Sequence, residues 1–196
     1  MRLTLIVVDG LDGCGKDTHA LRIKTLMESE GTPVRIISHP SSRPFGKLSK
    51  RSLQATGPIA RLFATVFFIV DVLGSVHVYK HTPKSNYIFV RYLLGAAYLP
   101  RSLAPVGYSL FRRLLPFPDI ALFIDISPEV AQRRIAARGH MPEMFETLQK
   151  LAAVREIAKD LTRAEWVTVD NSEDGEAPFR EVERILRERS ILRPAL

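Results

Sequence analysis

The feature that most constrains this chain is an apolar run followed by a glycine-rich turn. Residues Leu3–Asp9 read LTLIVVD, and Gly10–Lys16 read GLDGCGK, which fits the pattern G-x-x-x-x-G-K. An uninterrupted, β-branched run of this kind predicts a strand buried on both faces, which is typical of a parallel sheet. Apolar residues at helical spacing then predict a helix over Lys16–Ser29, which ends before Gly31.

The turn has the residues that a phosphate-binding loop needs. Glycines allow backbone N–H groups to point inward, the following helix contributes its N-terminus, and Lys16 adds a positive charge. The alternative is a turn whose glycines serve only the tight connection between strand and helix. Asp17 stands where this motif has a Mg²⁺-binding hydroxyl, and it could ligate the metal or repel the phosphates. The residues predicted to bind the nucleotide phosphates are Gly10, Asp12, Gly13, Cys14, Gly15, Lys16, Asp17 and Thr18.

The rest of the chain alternates between strand-like and helix-like segments. Five strands with intervening helices indicate an α/β fold, with an open five-stranded parallel sheet and helices on both faces. No internal repeat or linker divides the sequence, so we expect one domain over 1–196, and 93–118 should form short helices broken by prolines. The later strands are expected at Val34–Ser38, Asn86–Tyr92, Ile120–Ile126 and Trp166–Asp170, and the later helices at Lys47–Gln54, 58–79, Pro128–Arg138, 143–162 and Glu176–Arg189.

Composition and charge narrow the classes of function. The chain has 28 Lys and Arg against 21 Asp and Glu, and the resulting net charge of +7 predicts attraction to anions such as nucleotides. No basic stretch is interleaved with aromatic residues, so a nucleic-acid partner is not expected. The single cysteine, Cys14, excludes a disulfide framework within the chain and a cysteine-cluster zinc site. No secretory signal opens the sequence, and we expect a cytoplasmic location.

The most apolar segment, Leu62–Val78, is the candidate for a membrane span. Asp71 lies near its middle, where a carboxylate in hydrocarbon costs several kcal/mol. The uninterrupted apolar run is also shorter than the roughly 20 residues that a span requires. We therefore expect a buried helix or a dimer-interface helix, and no membrane partner.

Several segments resemble the thymidylate kinases, a family of P-loop nucleoside-monophosphate kinases. VDGLDGCGKDT is similar to the family's phosphate-binding loop, and HPSSRPFGKL, which contains Arg43, is similar to its loop after the second strand. Phe68–Asp71 resembles the helix whose Phe stacks on thymine, and Val90–Tyr92 resembles the Asp-Arg-Tyr motif that ends the third strand. Residues 118–139 resemble the fourth strand and the helix that leads into the lid, and 170–172 fall where the family's last loop approaches adenine. The resemblance covers nearly the whole chain.

This resemblance implies a three-layer P-loop NTPase fold and a kinase that uses ATP and Mg²⁺ to convert dTMP into dTDP. It also implies nucleotide substrates, a lid over about 138–146 and a homodimer formed through long apolar helices. Lys16, Arg91 and Arg138 would be catalytic, and Asp17 would stand at the metal position. Asp9 would face the acceptor sugar or orient an arginine. The residues assigned to the acceptor nucleotide are Asp9, Arg43, Phe68, Arg91 and Tyr92.

Three of these residues also have a simpler structural explanation. Phe68 lies in an apolar run and could be a core residue rather than a stacking platform. Arg91 could form a surface ion pair rather than bind a phosphate. Arg138 ends a predicted helix and could be a solvated cation that favours the helix dipole.

Three positions depart from the family pattern. Asp17 replaces the Mg²⁺-binding hydroxyl, Val72 replaces an arginine that contacts the pyrimidine, and Val90 replaces the Asp of Asp-Arg-Tyr. Loss of polar partners for the substrate predicts weak or absent dTMP kinase activity. Two alternatives therefore stay open. One is a P-loop kinase with a different nucleotide or nucleoside acceptor, and the other is a degenerate, non-catalytic nucleotide-binding protein.

Overall fold

A five-stranded parallel sheet organises the chain. The computed structural model describes residues 4–54, 57–82, 85–137, 147–173 and 175–193. Within them the strand order is β2-β3-β1-β4-β5, and every neighbouring pair is parallel. The strands are β1 (Leu5–Gly10), β2 (Val34–Ser38), β3 (Asn86–Val90), β4 (Ile120–Asp125) and β5 (Val167–Asp170), and the helices are α1 (Lys16–Ser29), α2 (Pro44–Gln54), α3 (Pro58–His81), α4 (Ala104–Leu114), α5 (Pro128–Ala136), α6 (Leu148–Thr162) and α7 (Ala177–Glu188).

Helices cover both faces of the sheet. Every residue of β1, β3 and β4 is buried. Because successive side chains of a strand point to opposite faces, complete burial requires cover on both sides. The two edge strands, β2 and β5, are only partly buried. The predicted α/β fold with a five-stranded parallel sheet is confirmed.

Some element boundaries differ from those expected. Helix α2 begins at Pro44 rather than Lys47, since proline is well accommodated in the first turn of a helix. The segment expected to form broken helices contains a 3₁₀ helix, Leu94–Tyr98, followed by α4. The predicted lid at 138–146, and Arg138 with it, lie outside the described residues.

Helix α3 is long and carries the most apolar segment. By length and composition Phe63–His81 could cross a membrane, a test that core helices also pass. The Asp71 carboxylate is buried, and it accepts hydrogen bonds from Ser41 N and Oγ, both at 2.6 Å, and from Arg43. A buried, paired charge on a helix that packs against α2 is what a protein core provides. The outward side of α3 nevertheless exposes Ile59, Phe63, Val66 and Leu73.

Candidate active site

The loop between β1 and α1 has a conformation that depends on glycine. Gly13 and Gly15 have φ values of 80° and 86°, in the left-handed region that other residues avoid. A Cβ at Gly13 would lie 2.7 Å from the carbonyl oxygen of Ala131, and one at Gly15 would lie 2.8 Å from the amide nitrogen of Asn171. These glycines therefore permit both the curl of the loop and its close contact with α5 and with the segment after β5.

Lys16 is the first residue of α1, and its side chain extends back over the loop. Its side chain is only 3% exposed, and Nζ donates to the carbonyl oxygen of Leu11 at 2.7 Å and lies 3.6 Å from Asp12 Oδ1. Cys14, in the same loop, has its carbonyl held by the Asn171 side-chain amide at 2.7 Å. The Cys14 side chain is fully buried in the hydrophobic core, and burial raises the pKa of its thiol.

Asp12 joins the loop to the end of β3. Arg91 Nη2 donates to Asp12 Oδ1, and the Tyr98 hydroxyl donates to Oδ2 at 3.2 Å. Burial opposes ionisation of Asp12, but the charges of Arg91 and Lys16 outweigh it and lower the pKa of the carboxyl. Arg91 has a φ of 58°, a left-handed conformation that is uncommon outside glycine. The side chain of Asp12 thus serves the arginine at the end of β3, a partnership that the linear motif does not indicate.

Asp9 is fully enclosed and bound by backbone groups. Its carboxylate accepts from the N–H groups of Gly10 at 2.9 Å, Tyr92 at 2.8 Å and Leu94 at 3.1 Å. Burial raises the pKa of Asp9, and these hydrogen bonds oppose the rise. Asp9 therefore fixes the turn after β3 that contains Arg91. Tyr92 itself is a core residue, whose hydroxyl donates to Pro116 O at 3.2 Å.

The side chains of Arg43 and Phe68 lie in different environments. The Arg43 guanidinium is held by Asp71, with Nη2 3.0 Å from Oδ1 and 2.6 Å from the carbonyl oxygen, and it lines neither cleft of the site. Phe68 lines a cleft, and it also packs so closely that a Cβ at Gly95 would lie 2.6 Å from its ring. Both interpretations of Phe68, packing and ligand contact, are compatible with this position.

The three departures from the family pattern lie in two different environments. Val72 is 2% exposed and Val90 is 1% exposed, and both belong to the hydrophobic core rather than to a cleft. Asp17 is exposed, and its Oδ1 accepts a hydrogen bond from Ser38 Oγ at 3.1 Å, whereas the next residue, Thr18, lines the cleft beside the loop. The core valines therefore cannot reach a ligand, while Asp17 remains accessible.

Two clefts meet at the glycine-rich loop. One cleft contains Phe68 and the other contains Thr18, and they are named the acceptor-side cleft and the donor-side cleft after the roles proposed for them. Asp12 lines the first cleft, and its neighbour Gly13 lines the second. The acceptor-side cleft is lined by Asp9, Asp12, Pro40, Ser49, Leu53, Ala64, Thr65, Phe68, Arg91, Gly95, Tyr98, Leu99 and Phe111, and the donor-side cleft by Gly13, Gly15, Thr18, His19, Arg22, Arg134, Asn171, Glu173, Gly175 and Phe179.

The donor-side cleft has cations at its rim. Arg134 donates to the carbonyl oxygen of Asn171 at 3.1 Å, which connects α5 to the loop after β5. Arg22 lies 4.9 Å from the centre of the Phe179 ring and pairs with Glu176. Sequence reasoning did not select Tyr98, His19, Arg22 or Phe179, because only the fold brings them to the clefts.

A divalent metal would need ligands from the nucleotide as well as from the protein. Within the described part of the chain, no group of three His, Cys, Asp or Glu side chains could hold a metal ion by itself. Mg²⁺ is commonly bound by one or two carboxylates together with phosphate oxygens and water. Asp17, at the start of α1, is exposed and would supply one such carboxylate, from a position that lines neither cleft.

Comparison with known proteins assigns the chain to a family. The family model described as thymidylate kinase matches residues 8–182. A probable thymidylate kinase of Archaeoglobus fulgidus is 29% identical over 189 residues, with 93% of this chain and 94% of the relative covered. The thymidylate kinase of Xanthomonas euvesicatoria is also 29% identical, over 93% of this chain and 82% of the relative. A solved thymidylate kinase from Candida albicans has the same fold, with a TM-score of 0.79 at 21% identity over 96% of this chain and 93% of that one. The chain therefore belongs to the thymidylate kinase family of nucleoside-monophosphate kinases.

Proposed function

We propose that this chain transfers the γ-phosphoryl group of ATP to a nucleoside monophosphate, with dTMP to dTDP as the family reaction. The observation that carries the proposal is that adjacent loop residues, Asp12 and Gly13, line two different clefts. A phosphoryl donor on one side and an acceptor on the other would thus meet at the loop. Phosphoryl transfer depends chiefly on such positioning and on charge stabilisation.

On the donor side, the loop and the start of α1 would hold the phosphates of ATP. Lys16 now bonds to Leu11 O and would exchange that carbonyl for a phosphate oxygen. Thr18 would bind a further phosphate, and Asp17 would hold Mg²⁺ against the nucleotide. Bound Mg²⁺ would offset the negative charge of the phosphate oxygens. Arg138, in the predicted lid at 138–146, would approach the transferring group.

On the acceptor side, Arg91 would bind the acceptor phosphate while Asp12 fixes its guanidinium. A guanidinium suits this role because it can bind a carboxylate and a phosphate at once. Asp9 would hold the turn that presents Arg91, and Phe68 would stack on the base. Arg43 is bound to Asp71 and lines neither cleft, so in place of the expected contact with the acceptor phosphate we propose that it positions the loop before α2.

The last part of the proposal concerns the domain organisation, location and oligomeric state of the protein. We propose one kinase domain over 1–196, acting in the cytoplasm on nucleotides, with no nucleic-acid partner. The exposed apolar side chains of α3 would form the interface of a homodimer, since a patch of this kind marks an interaction surface. The residues of this α3 face are Ile59, Phe63, Val66 and Leu73.

The experiment is an ADP-release assay with ATP, Mg²⁺ and a panel of nucleosides and nucleoside monophosphates. Transfer to one or more monophosphates, lost in Lys16→Ala, would support the proposal. Tight ATP binding without transfer to any acceptor would instead support the non-catalytic alternative. Transfer to nucleosides but not to monophosphates would overturn the assignment of the acceptor.

A second candidate is a kinase with an acceptor other than dTMP. It is favoured by the wall around Phe68, which is made mainly of apolar side chains: Leu53, Leu99 and Phe111. The valine at position 72 is enclosed in the core and offers the base no hydrogen bond. A panel in which another monophosphate exceeds dTMP in kcat/KM would favour this candidate.

A further inference from the structure

The Asn171 side chain connects the segment after β5 to the glycine-rich loop. Its amide nitrogen Nδ2 donates to the carbonyl oxygen of Cys14 at 2.7 Å, although the two residues are 157 positions apart in the sequence. A Cβ at Gly15 would lie 2.8 Å from the same nitrogen, so a glycine at that position leaves room for the amide. No step of the proposed phosphoryl transfer uses this contact, and the linear motif of the loop does not contain Asn171.

The backbone of Asn171 is held in place by neighbouring elements. Its N–H donates to the carbonyl oxygen of Asp125, the last residue of β4, at 2.9 Å, and its own carbonyl oxygen accepts from Arg134 Nη1 of α5 at 3.1 Å. The next residue, Ser172, donates from its N–H to Asp170 Oδ1 at 2.9 Å. A side chain carried by a backbone that is fixed in this way has a defined position from which to orient a neighbour.

The contact determines the orientation of one peptide group in the loop. The peptide bond between Cys14 and Gly15 is planar and trans, so its C=O and N–H point in opposite directions. Because the carbonyl oxygen is bound to Asn171, the N–H of Gly15 points away from Asn171. Glycine accepts both positive and negative φ, so this peptide can turn over at low steric cost unless its carbonyl is held. A peptide turned over in this way would direct a carbonyl oxygen, rather than an N–H, at an anion in the loop.

We propose that Asn171 is a positioning residue for the phosphate-binding loop. By holding the Cys14 carbonyl oxygen, it keeps the N–H of Gly15 turned toward the phosphates of the donor nucleotide, since backbone N–H groups are what such loops offer to phosphate. This inference rests on the proposed donor role of the loop and adds a determinant that lies outside its G-x-x-x-x-G-K motif. Asn171 itself lines the donor-side cleft. The part of the ligand concerned is the polyphosphate, so the effect should not depend on the base of the nucleotide.

Two other roles for Asn171 predict different results. A side chain that contacted the base would matter for ATP but not for a polyphosphate that lacks a base. A side chain that only stabilised the fold would have its counterpart in Asn86, the other asparagine of the chain. Asn86 Oδ1 accepts from Thr4 N at 2.8 Å and its Nδ2 donates to Pro33 O at 3.2 Å, at the start of β3 and thus at the opposite end of the sheet from the loop. Asn86→Ala is therefore the matched control.

Calorimetric titration with ATP and with inorganic tripolyphosphate, each in the presence of Mg²⁺, tests the proposal. We expect Asn171→Ala to weaken the binding of both ligands by about tenfold, the effect of one hydrogen bond. Asn171→Asp keeps the size of the side chain but replaces the amide donor by a negatively charged oxygen, and it should weaken the binding of both ligands at least as much. Asn86→Ala should bind both ligands as the wild type does, while thermal unfolding shows its loss of stability.

Other outcomes overturn the proposal. It fails if Asn171→Ala binds tripolyphosphate as tightly as the wild type does, because the side chain would then act on the base or on no part of the nucleotide. It fails if Asn86→Ala weakens the binding of both ligands as much as Asn171→Ala does, because the loss would then follow from stability alone. It also fails if tripolyphosphate does not bind to the wild type. If binding changes as expected but no acceptor is phosphorylated, the proposed kinase activity fails and the role of Asn171 stands.

Discussion

Replacing Arg91 by lysine tests whether this arginine binds the acceptor phosphate or serves only a structural role. Arg91 Nη2 donates to Asp12 Oδ1, and the guanidinium lines the acceptor-side cleft, with about a quarter of the side chain exposed. Lysine keeps the charge and meets the same backbone constraint at a φ of 58°. It offers a point charge in place of a planar fork, so it cannot hold Asp12 and a phosphate in one fixed geometry.

The magnitude follows from one lost charge-assisted hydrogen bond. Such a bond contributes about 1.5–3 kcal/mol, so kcat/KM for the acceptor should fall about 10- to 100-fold in Arg91→Lys. The KM for ATP should change less than about twofold, since the donor-side cleft is lined by other residues. Steady-state kinetics with each substrate varied in turn, together with thermal unfolding, measure these quantities.

A different pattern would refute the reasoning. If kcat/KM for the acceptor is unchanged while the melting temperature falls, Arg91 serves only as the partner of Asp12. If kcat/KM falls equally for ATP and for the acceptor, the substitution has disturbed the glycine-rich loop itself. Asp12→Asn supplies the comparison, because it keeps Arg91 but removes the charge that holds it.

The other predictions concern the loop and its surroundings. Lys16→Ala should lower the rate of ATP turnover or the affinity for ATP at least about tenfold, as measured by initial rates and calorimetry. If both quantities are unchanged, the assignment of the glycine-rich loop to ATP is wrong. Asp17→Ser should change the Mg²⁺ concentration needed for half-maximal rate while leaving the acceptor KM unaltered, and an unchanged Mg²⁺ dependence would exclude Asp17 from the metal site. Val90→Asp places a carboxylate at a core position 1% exposed, so denaturant unfolding should show a loss of several kcal/mol rather than a gain in dTMP turnover. Because the charges around Asp12 lower its pKa, Asp12 stabilises the fold at neutral pH, and that contribution is lost progressively as the pH falls from about 4 through the lowered pKa of the folded state. Asp12→Asn should therefore lose less stability than the wild type between pH 5 and 3, and parallel acid-unfolding curves would contradict this.

Local patterns were sufficient for most of the fold. An apolar run, a glycine-rich turn and a helical period follow one another within Leu3–Ser29, and each depends on neighbours in sequence, so the β1-loop-α1 unit could be read directly. The central strands β1, β3 and β4 were recognisable because strands covered on both faces must be continuously apolar. The sequence predicted segment 93–118 less accurately. Its 3₁₀ helix depends on a residue distant in sequence, because the Asp9 carboxylate accepts a hydrogen bond from Leu94 N.

The sequence by itself determined the sheet, the glycine-rich loop and the family. The tertiary structure decided which side chains act together. Asp12 and Arg91 are 79 positions apart, and they meet only because β1 and β3 are neighbours in the sheet. The burial of Val72 in the core, and the exposure of one side of α3, likewise depend on how whole helices pack. Hydrophobic periodicity is a property of a short segment, whereas ion pairs and clefts between elements depend on strand order and helix packing, which no short segment encodes.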